Sequence, residues 1–149
     1  MKLASFLLSA LCVVFLAGNA QAEYKTFGPA DAKFKVDVPQ GWTAAENDGG
    51  AQLTSGDGET SMSIQVQPSS GKSAKELATV IGDQMKKNGG TVVKIEEENK
   101  DQATIYFDVN GTRVATLILV SGDKFVAITM AGKDGESMKK IADSLQDAE

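Results

Sequence analysis

The sequence predicts an α+β domain in which an antiparallel β-sheet is flanked by helices, an arrangement of the α/β/α sandwich type. Strands are joined by two-residue turns at Asn110-Gly111 and Gly122-Asp123, which is typical of antiparallel hairpins. The run 115–120 is apolar without alternation, which predicts a strand covered on both faces. Two segments with helical apolar spacing are available as the covering layers.

The first strands of the predicted sheet come before the first helix. Residues 34–38 alternate apolar and charged side chains, the pattern of a half-buried strand. Val38-Pro39-Gln40-Gly41 suits a type I turn, with proline second and glycine fourth, after which Trp42 begins the return of the chain. A weak strand is expected near residues 52–54 and a clear one over 62–66. The predicted order therefore starts with three strands.

A helix follows, and its start is well defined. Ser73 and Glu76 form a capping box, in which the serine hydroxyl and the glutamate side chain each bond the other's backbone amide. Apolar residues continue at helical spacing to Met85, and Asn88-Gly89 ends the segment. A second amphipathic helix is predicted over residues 138–145.

Four strands separate the two helices, over residues 92–97, 103–109, 112–121 and 124–131. The Asn110-Gly111 turn sets the register of the middle pair, so that Asp108 faces Arg113 and Phe107 faces Val114. On the third of these strands, Leu117 and Leu119 lie on one face, whereas Ile118 and Val120 lie on the other. The order of elements is therefore βββ-α-ββββ-α.

The N-terminal residues 1–22 have the pattern of a secretory signal peptide. A basic start leads into an apolar run and then into Ala20-Gln21-Ala22, so cleavage is expected after Ala22. The apolar run is shorter than a membrane span requires, and we expect no membrane span after its removal. Residues 23–149 then form one domain in the periplasm or outside the cell.

Composition narrows the range of functions. The net charge of −5 disfavours nucleic acid as a partner. The chain has no histidine and a single cysteine, which lies in the leader, so the preferred ligands of zinc, copper and iron are missing and no cofactor is expected. Asp48, Asp57 and Glu59 are weak calcium candidates in acidic, glycine-rich loops that lack an EF-hand pattern.

Catalysis is not expected, because a serine nucleophile usually relies on an adjacent base. The alternative left open is a hydrolase of the Ser–Lys type, for which Ser137 and Lys140 are three residues apart on a predicted helix.

Two aromatic residues are candidates for binding. Trp42 follows a tight turn and is expected either at the edge of the core or in contact with a ligand. Tyr106 lies on the more polar face of its strand.

The order of elements and the opening strand resemble those of a known family. The motif F-x-V-x-V-P-x-G-W resembles the PsbP/DcrB-like family, whose fold is shared by the Ran-binding Mog protein. It rests on Phe34, Val36, Val38, Pro39, Gly41 and Trp42. The resemblance implies an exported α/β/α domain that acts without catalysis, as an accessory or binding protein with a protein partner in the envelope. A small-ligand or calcium-binding domain is the alternative.

Overall fold

The computed structural model describes residues 23–148, which form ten strands and two helices. The elements are β1 (Glu23–Phe27), β2 (Phe34–Val38), β3 (Thr43–Asn47), β4 (Gly50–Thr54), β5 (Ser61–Pro68), α1 (Ala74–Lys87), β6 (Thr91–Asn99), β7 (Gln102–Val109), β8 (Thr112–Ser121), β9 (Lys124–Ala131), α2 (Gly135–Asp143) and β10 (Gln146–Asp147). The predicted leader and its cleavage after Ala22 lie outside the described residues.

The strands form two antiparallel sheets. Seven of them make a large sheet in the order β3-β4-β5-β9-β8-β7-β6, and three make a small sheet in the order β1-β2-β10. The predicted hairpin register is confirmed, because Asp108 pairs with Arg113 and Phe107 pairs with Val114. The antiparallel sheet expected from the two-residue turns is therefore present.

Strand β8 has apolar contacts on both of its faces, as its sequence predicts. Ile118 is fully buried and belongs to a core cluster with Ile105 and Phe107 under α1. Leu117 is half-buried and packs on the opposite side, against the cluster that contains Ile128 and Ile141. The large sheet therefore separates two apolar cores.

The prediction of an α/β/α sandwich needs correction, because the fold contains more sheet than that architecture. One face of the large sheet is covered by α1, but the other is covered by the small sheet together with α2. The reason is one of size. Helix α2 has nine residues and spans only about 13 Å, whereas seven strands span about 29 Å. Buried side chains of β2 cover part of the remainder.

The number of strands before the first helix is also corrected, from three to five. Strands β1 and β3 were missed because neither has a clear apolar alternation. Phe27 is the only buried residue of β1, and Ala44 of β3 is only partly buried against the core. Both strands form through pairing with neighbours, β1 with β2 and β3 with β4. Strand β10, which has only two residues, likewise forms through pairing with β2.

The turn after β2 lies one residue later than predicted. The backbone amide of Trp42 donates to the carbonyl of Pro39 at 3.1 Å, so the turn comprises Pro39 to Trp42. Gly41 is its third residue and has a φ of +82°. A positive φ at the third position requires glycine and is the mark of a type II turn. The predicted type I turn with Gly41 fourth is therefore wrong.

Helix α2 is held at both ends. At its start, the backbone amides of Lys133 and Asp134 donate to the Thr60 hydroxyl at 3.2 and 3.1 Å. At its end, the Ser144 hydroxyl accepts from the backbone amide of Asp37 at 2.9 Å and donates to the Ile141 carbonyl. These bonds fix the helix relative to both sheets. The capping box predicted for α1 at Ser73 and Glu76 is also present.

Candidate functional site

The short length of α2 leaves part of the large sheet uncovered beside it. We call this surface the β8 trough. Its floor is Ala115, Leu117 and Leu119, three half-buried residues that follow one another on one face of β8. One wall is the flank of α2 and the residues after it, with Met138, Ala142 and Leu145. Tyr106 of β7, which pairs with Ala115, forms part of the opposite wall.

Two cavities lie along the trough. One of about 420 Å³ holds Ala115 and Leu117. The other, of about 530 Å³, holds Leu119 and extends to Phe34 and Val66 under the small sheet. The two cavities have no lining residue in common, but their floors lie next to each other because Leu117 and Leu119 are successive residues on this face of β8. Both volumes fall within the range of sites that take organic ligands or peptide side chains.

Ion pairs surround the apolar floor. Arg113 pairs with Asp108 and Lys139 pairs with Asp143 at one end, and Lys124 pairs with Asp31 at the other. Hydrogen bonding from Arg113 lowers the pKa of Asp108, and that from Lys124 lowers the pKa of Asp31. The rim therefore presents both signs of charge at each end, and these three basic residues are each paired with a carboxylate of the same chain.

Tyr106 sits in a small network of its own. The Lys94 ammonium lies 4.7 Å from the centre of the Tyr106 ring, a distance suited to a cation–π contact. The same ammonium is 2.6 Å from a carboxylate oxygen of Glu96. Partial burial, followed by the nearby Glu96 carboxylate, raises the pKa of the Tyr106 hydroxyl. The phenol is therefore neutral at physiological pH.

We expect the Glu96→Gln variant to lower the pKa of Tyr106, because it removes the negative charge that disfavours the phenolate. Burial remains, so the pKa should stay above its ordinary value. The measurement is a pH titration of phenolate absorbance, taken as the difference between each protein and its Tyr106→Phe counterpart. A Tyr106 pKa that is unchanged or higher in Glu96→Gln would show that the carboxylate does not act on this phenol.

The two aromatic candidates do not share a site. Trp42 precedes β3 and packs against the core cluster under the small sheet, whereas Tyr106 is on β7 beside the trough. Five strand spacings separate β3 from β7 in the large sheet, or about 24 Å. The core-edge interpretation of Trp42 agrees with its packing. A binding role for either residue stays a prediction, and only Tyr106 lines the trough.

The three calcium candidates are divided between the two ends of β4. Asp48 lies in the turn before this strand, and Asp57 and Glu59 lie in the loop after it. The Asp57 carboxylate accepts from the Ser55 hydroxyl at 2.6 Å and from the Glu59 amide, and these bonds lower its pKa. Glu59 pairs with Lys133 at 3.0 Å. Within residues 23–148, no group of three metal-binding side chains lies close enough to hold an ion.

The residues of the Ser–Lys alternative have other partners. Lys140 is 2.8 Å from Glu136, and this hydrogen bond raises the pKa of Lys140. A lysine that keeps its proton is a poor general base. The backbone amide of Ser137 donates to the Asp134 carboxylate that caps α2. Ser137 and Lys140 therefore lie in the first turns of this helix, where the Lys140 ammonium is held by Glu136.

Sequence reasoning missed most of the trough. Tyr106 was found because it is an aromatic residue on a polar face. The floor residues were read only as core, since apolar residues on a central strand are usually covered completely. The signal that could have found the trough is the short length of the second helical segment, which is too small to cover the sheet that the strands predict.

None of the helices formed by the described part of the chain is both long and apolar enough to cross a membrane.

Comparison with known proteins identifies the fold through structure alone. No protein-family model matches the chain, and no curated protein matches its sequence. The solution structure of cyanobacterial PsbP (CyanoP) from Synechocystis sp. is similar, with a TM-score of 0.61 and 10% identity, over 88% of this chain and 96% of that one. A crystal structure from Bacteroides thetaiotaomicron has a TM-score of 0.44 at 18% identity, over 78% and 45%, and this score is too low to support an argument. The chain has the PsbP-like fold.

Proposed function

We propose that the chain is an exported, non-enzymatic accessory or binding protein that acts through protein contacts at the β8 trough. The single observation that carries this proposal is the half-buried apolar floor of Ala115, Leu117 and Leu119 beside α2. An apolar centre with a charged, solvent-exposed rim is the usual anatomy of a protein–protein interface. The PsbP-like fold supports the same function by analogy only.

The rim supports a protein partner over a small ion. Arg113, Lys139 and Lys124 are each paired with a carboxylate of their own chain. A simple anion or cation would therefore compete with an existing partner at each position. A protein surface carries both signs of charge and could exchange these pairs while it covers the apolar floor, which favours specificity and association rate.

The trough also favours binding over catalysis. Its cavities contain no nucleophile beside an available base, since the one serine among their lining residues is Ser121, close to Lys124, whose ammonium is bound to Asp31. The apolar floor offers contact area but no group that could stabilise developing charge. The alternative function, a small-ligand-binding domain, is compatible with the 530 Å³ cavity. The experiment below distinguishes it from binding to a protein partner.

Site-specific photo-crosslinking in the native host tests this proposal. The full chain, with its own leader, is produced with p-benzoylphenylalanine in place of Tyr106, and in a matched control in place of Tyr24, which is 53% exposed on β1. We expect one discrete crosslinked protein from position 106 and none from position 24. The crosslinked species should be found in the periplasmic fraction, with this chain beginning at Glu23.

Three outcomes would contradict the proposal. Equal labelling from both positions would show that the trough is not selective. An absence of protein adducts at position 106 would contradict binding of a protein at the trough and would favour the small-ligand alternative. An uncleaved chain in the cytoplasmic fraction would contradict the proposed localisation in the periplasm.

A further inference from the structure

The face of the large sheet that is opposite the trough lacks charged residues over five strands. On β3, β4, β5, β9 and β8, the side chains that share a face with Thr116 are all uncharged. One row across these strands reads Ala45, Gln52, Ser63, Thr129 and Thr116. In a chain with 23% charged residues, a solvated sheet face of this size would ordinarily carry several charges.

This uncharged face is only partly covered. Helix α1 lies over β6, β7 and β8, and where its coverage ends a groove of about 410 Å³ runs between the helix and β5. We call it the amide groove. Ile81, Gln84 and Met85 of α1 form one wall, and Gln65 and Gln67 of β5 form the other. Its floor includes Thr116 and Thr129.

The polar groups of the amide groove all belong to side chains that both donate and accept hydrogen bonds. The Thr116 and Thr129 hydroxyls are 2.9 Å apart, and either can be the donor. Gln67 donates through Nε2 to Oε1 of Gln65 at 3.3 Å. This bond leaves Nε2 of Gln65 as a donor and Oε1 of Gln67 as an acceptor for a ligand. The apolar side chains of Ile81 and Met85 face the same space.

These features select a class of ligand. A charged ligand would lose water without gaining a counter-charge, which is costly. A purely apolar ligand would cover the free Nε2 of Gln65, the free Oε1 of Gln67 and the Gln84 amide without forming hydrogen bonds to them. A ligand with many hydroxyls and a C–H face satisfies both walls, because each hydroxyl donates and accepts, as the glutamine and threonine side chains do. The volume lies in the range of small-molecule sites.

We propose that the amide groove is a binding site for an uncharged saccharide. The hydroxyl groups of the saccharide form hydrogen bonds with Gln65, Gln67 and Gln84. The C–H face of the sugar packs on Ile81 and Met85. The site lies on the opposite face of the large sheet from the β8 trough, so this inference does not depend on the proposed protein contact.

The test uses the purified protein and a panel of neutral disaccharides: maltose, cellobiose and N,N′-diacetylchitobiose. The readout is the ¹H–¹⁵N spectrum of the glutamine side-chain amides. We expect at least one disaccharide to shift the resonances of Gln65 and Gln84, with an affinity that is the same at low and high NaCl concentration. Glucosamine and glucuronic acid, which carry charge, should bind more weakly than glucose.

Matched variants locate the site. Gln65→Leu and Gln84→Leu keep approximate side-chain size but lose the amide, and each should weaken binding by about 3- to 10-fold, the value of one or two neutral hydrogen bonds. Gln52→Leu, on the same sheet face but outside the groove, should leave the affinity unchanged. The trough variant Leu117→Ala should also bind saccharide normally, so a failure here is distinguishable from a failure of the proposed protein contact.

The inference is overturned if no disaccharide of the panel shifts the three glutamine amides, or if Gln52→Leu weakens binding as much as Gln65→Leu. It is also overturned if an uncharged Gly-Ser peptide binds the groove more tightly than every saccharide, because the groove would then be a peptide site.

Discussion

Replacing Gly132 by alanine is expected to lower the free energy of unfolding by about 2–6 kcal/mol. Gly132 joins β9 to α2 with a φ of +128°, a conformation that side chains rarely adopt. A Cβ there would also lie 2.5 Å from the Glu59 carbonyl oxygen and from Cα of Thr60. Both contacts are with backbone, so neither can be relieved by a change of rotamer.

The clash would act on the site as well as on stability. Thr60 accepts the two backbone amides at the entry to α2, and moving it away from Gly132 would shift the helix that forms a wall of the trough. The measurement is urea unfolding. The matched control is Gly135→Ala, where a Cβ meets nothing within 4 Å, and this variant should be neutral. Equal stability of the two variants would contradict the close approach at Gly132.

Much of the large sheet could be predicted from local sequence. The hairpins at Asn110-Gly111 and Gly122-Asp123 specify both the strands and their register, because a two-residue turn allows only one alignment of its flanking residues. The capping box at Ser73 likewise marks the start of α1. These signals depend on residues near one another in the chain, and they are confirmed.

The small sheet could not be predicted in the same way. Strand β10 pairs two residues with Phe34 and Lys35, more than a hundred positions earlier in the chain. Such a pairing leaves no local periodicity, since it is set by where α2 ends and by the hydrogen bond from the Asp37 amide to Ser144. The prediction that a helix alone would cover the second face was wrong for this reason, because the small sheet shares that face with α2.

The two candidate sites depend on the same kind of long-range information. The β8 trough exists because α2 and the small sheet together cover Leu117 and Leu119 only in part. The amide groove requires β5 to pair with β9, which places Gln65 beside Ala127 and Ser63 beside Thr129. Sequence patterns identify which residues are polar or apolar, but only the pairing of distant strands brings Gln65 and Gln84 to one groove.

Replacing Ile118 by alanine is expected to cost about 2–5 kcal/mol of stability. Ile118 is fully buried under α1 with Ile105 and Phe107, so truncation would leave a cavity that its neighbours cannot fill. Its neighbour Leu117 faces the trough and is only half-buried, so Leu117→Ala should cost about 1 kcal/mol. Ile118→Val keeps most of the side chain and should cost about 0.5–1.5 kcal/mol, which provides a folded reference.

We predict that Ile118 of β8 is sealed under α1, whereas Leu117 on the opposite face of the strand contacts a partner. This prediction is tested most directly by the yield of the position-106 crosslink in Leu117→Ala and in Ile118→Val, two variants that should differ little in urea stability. We predict that Leu117→Ala loses most of the crosslinked species while Ile118→Val retains it. Equal yields in the two variants, or a greater loss in Ile118→Val, would contradict a binding role for the trough.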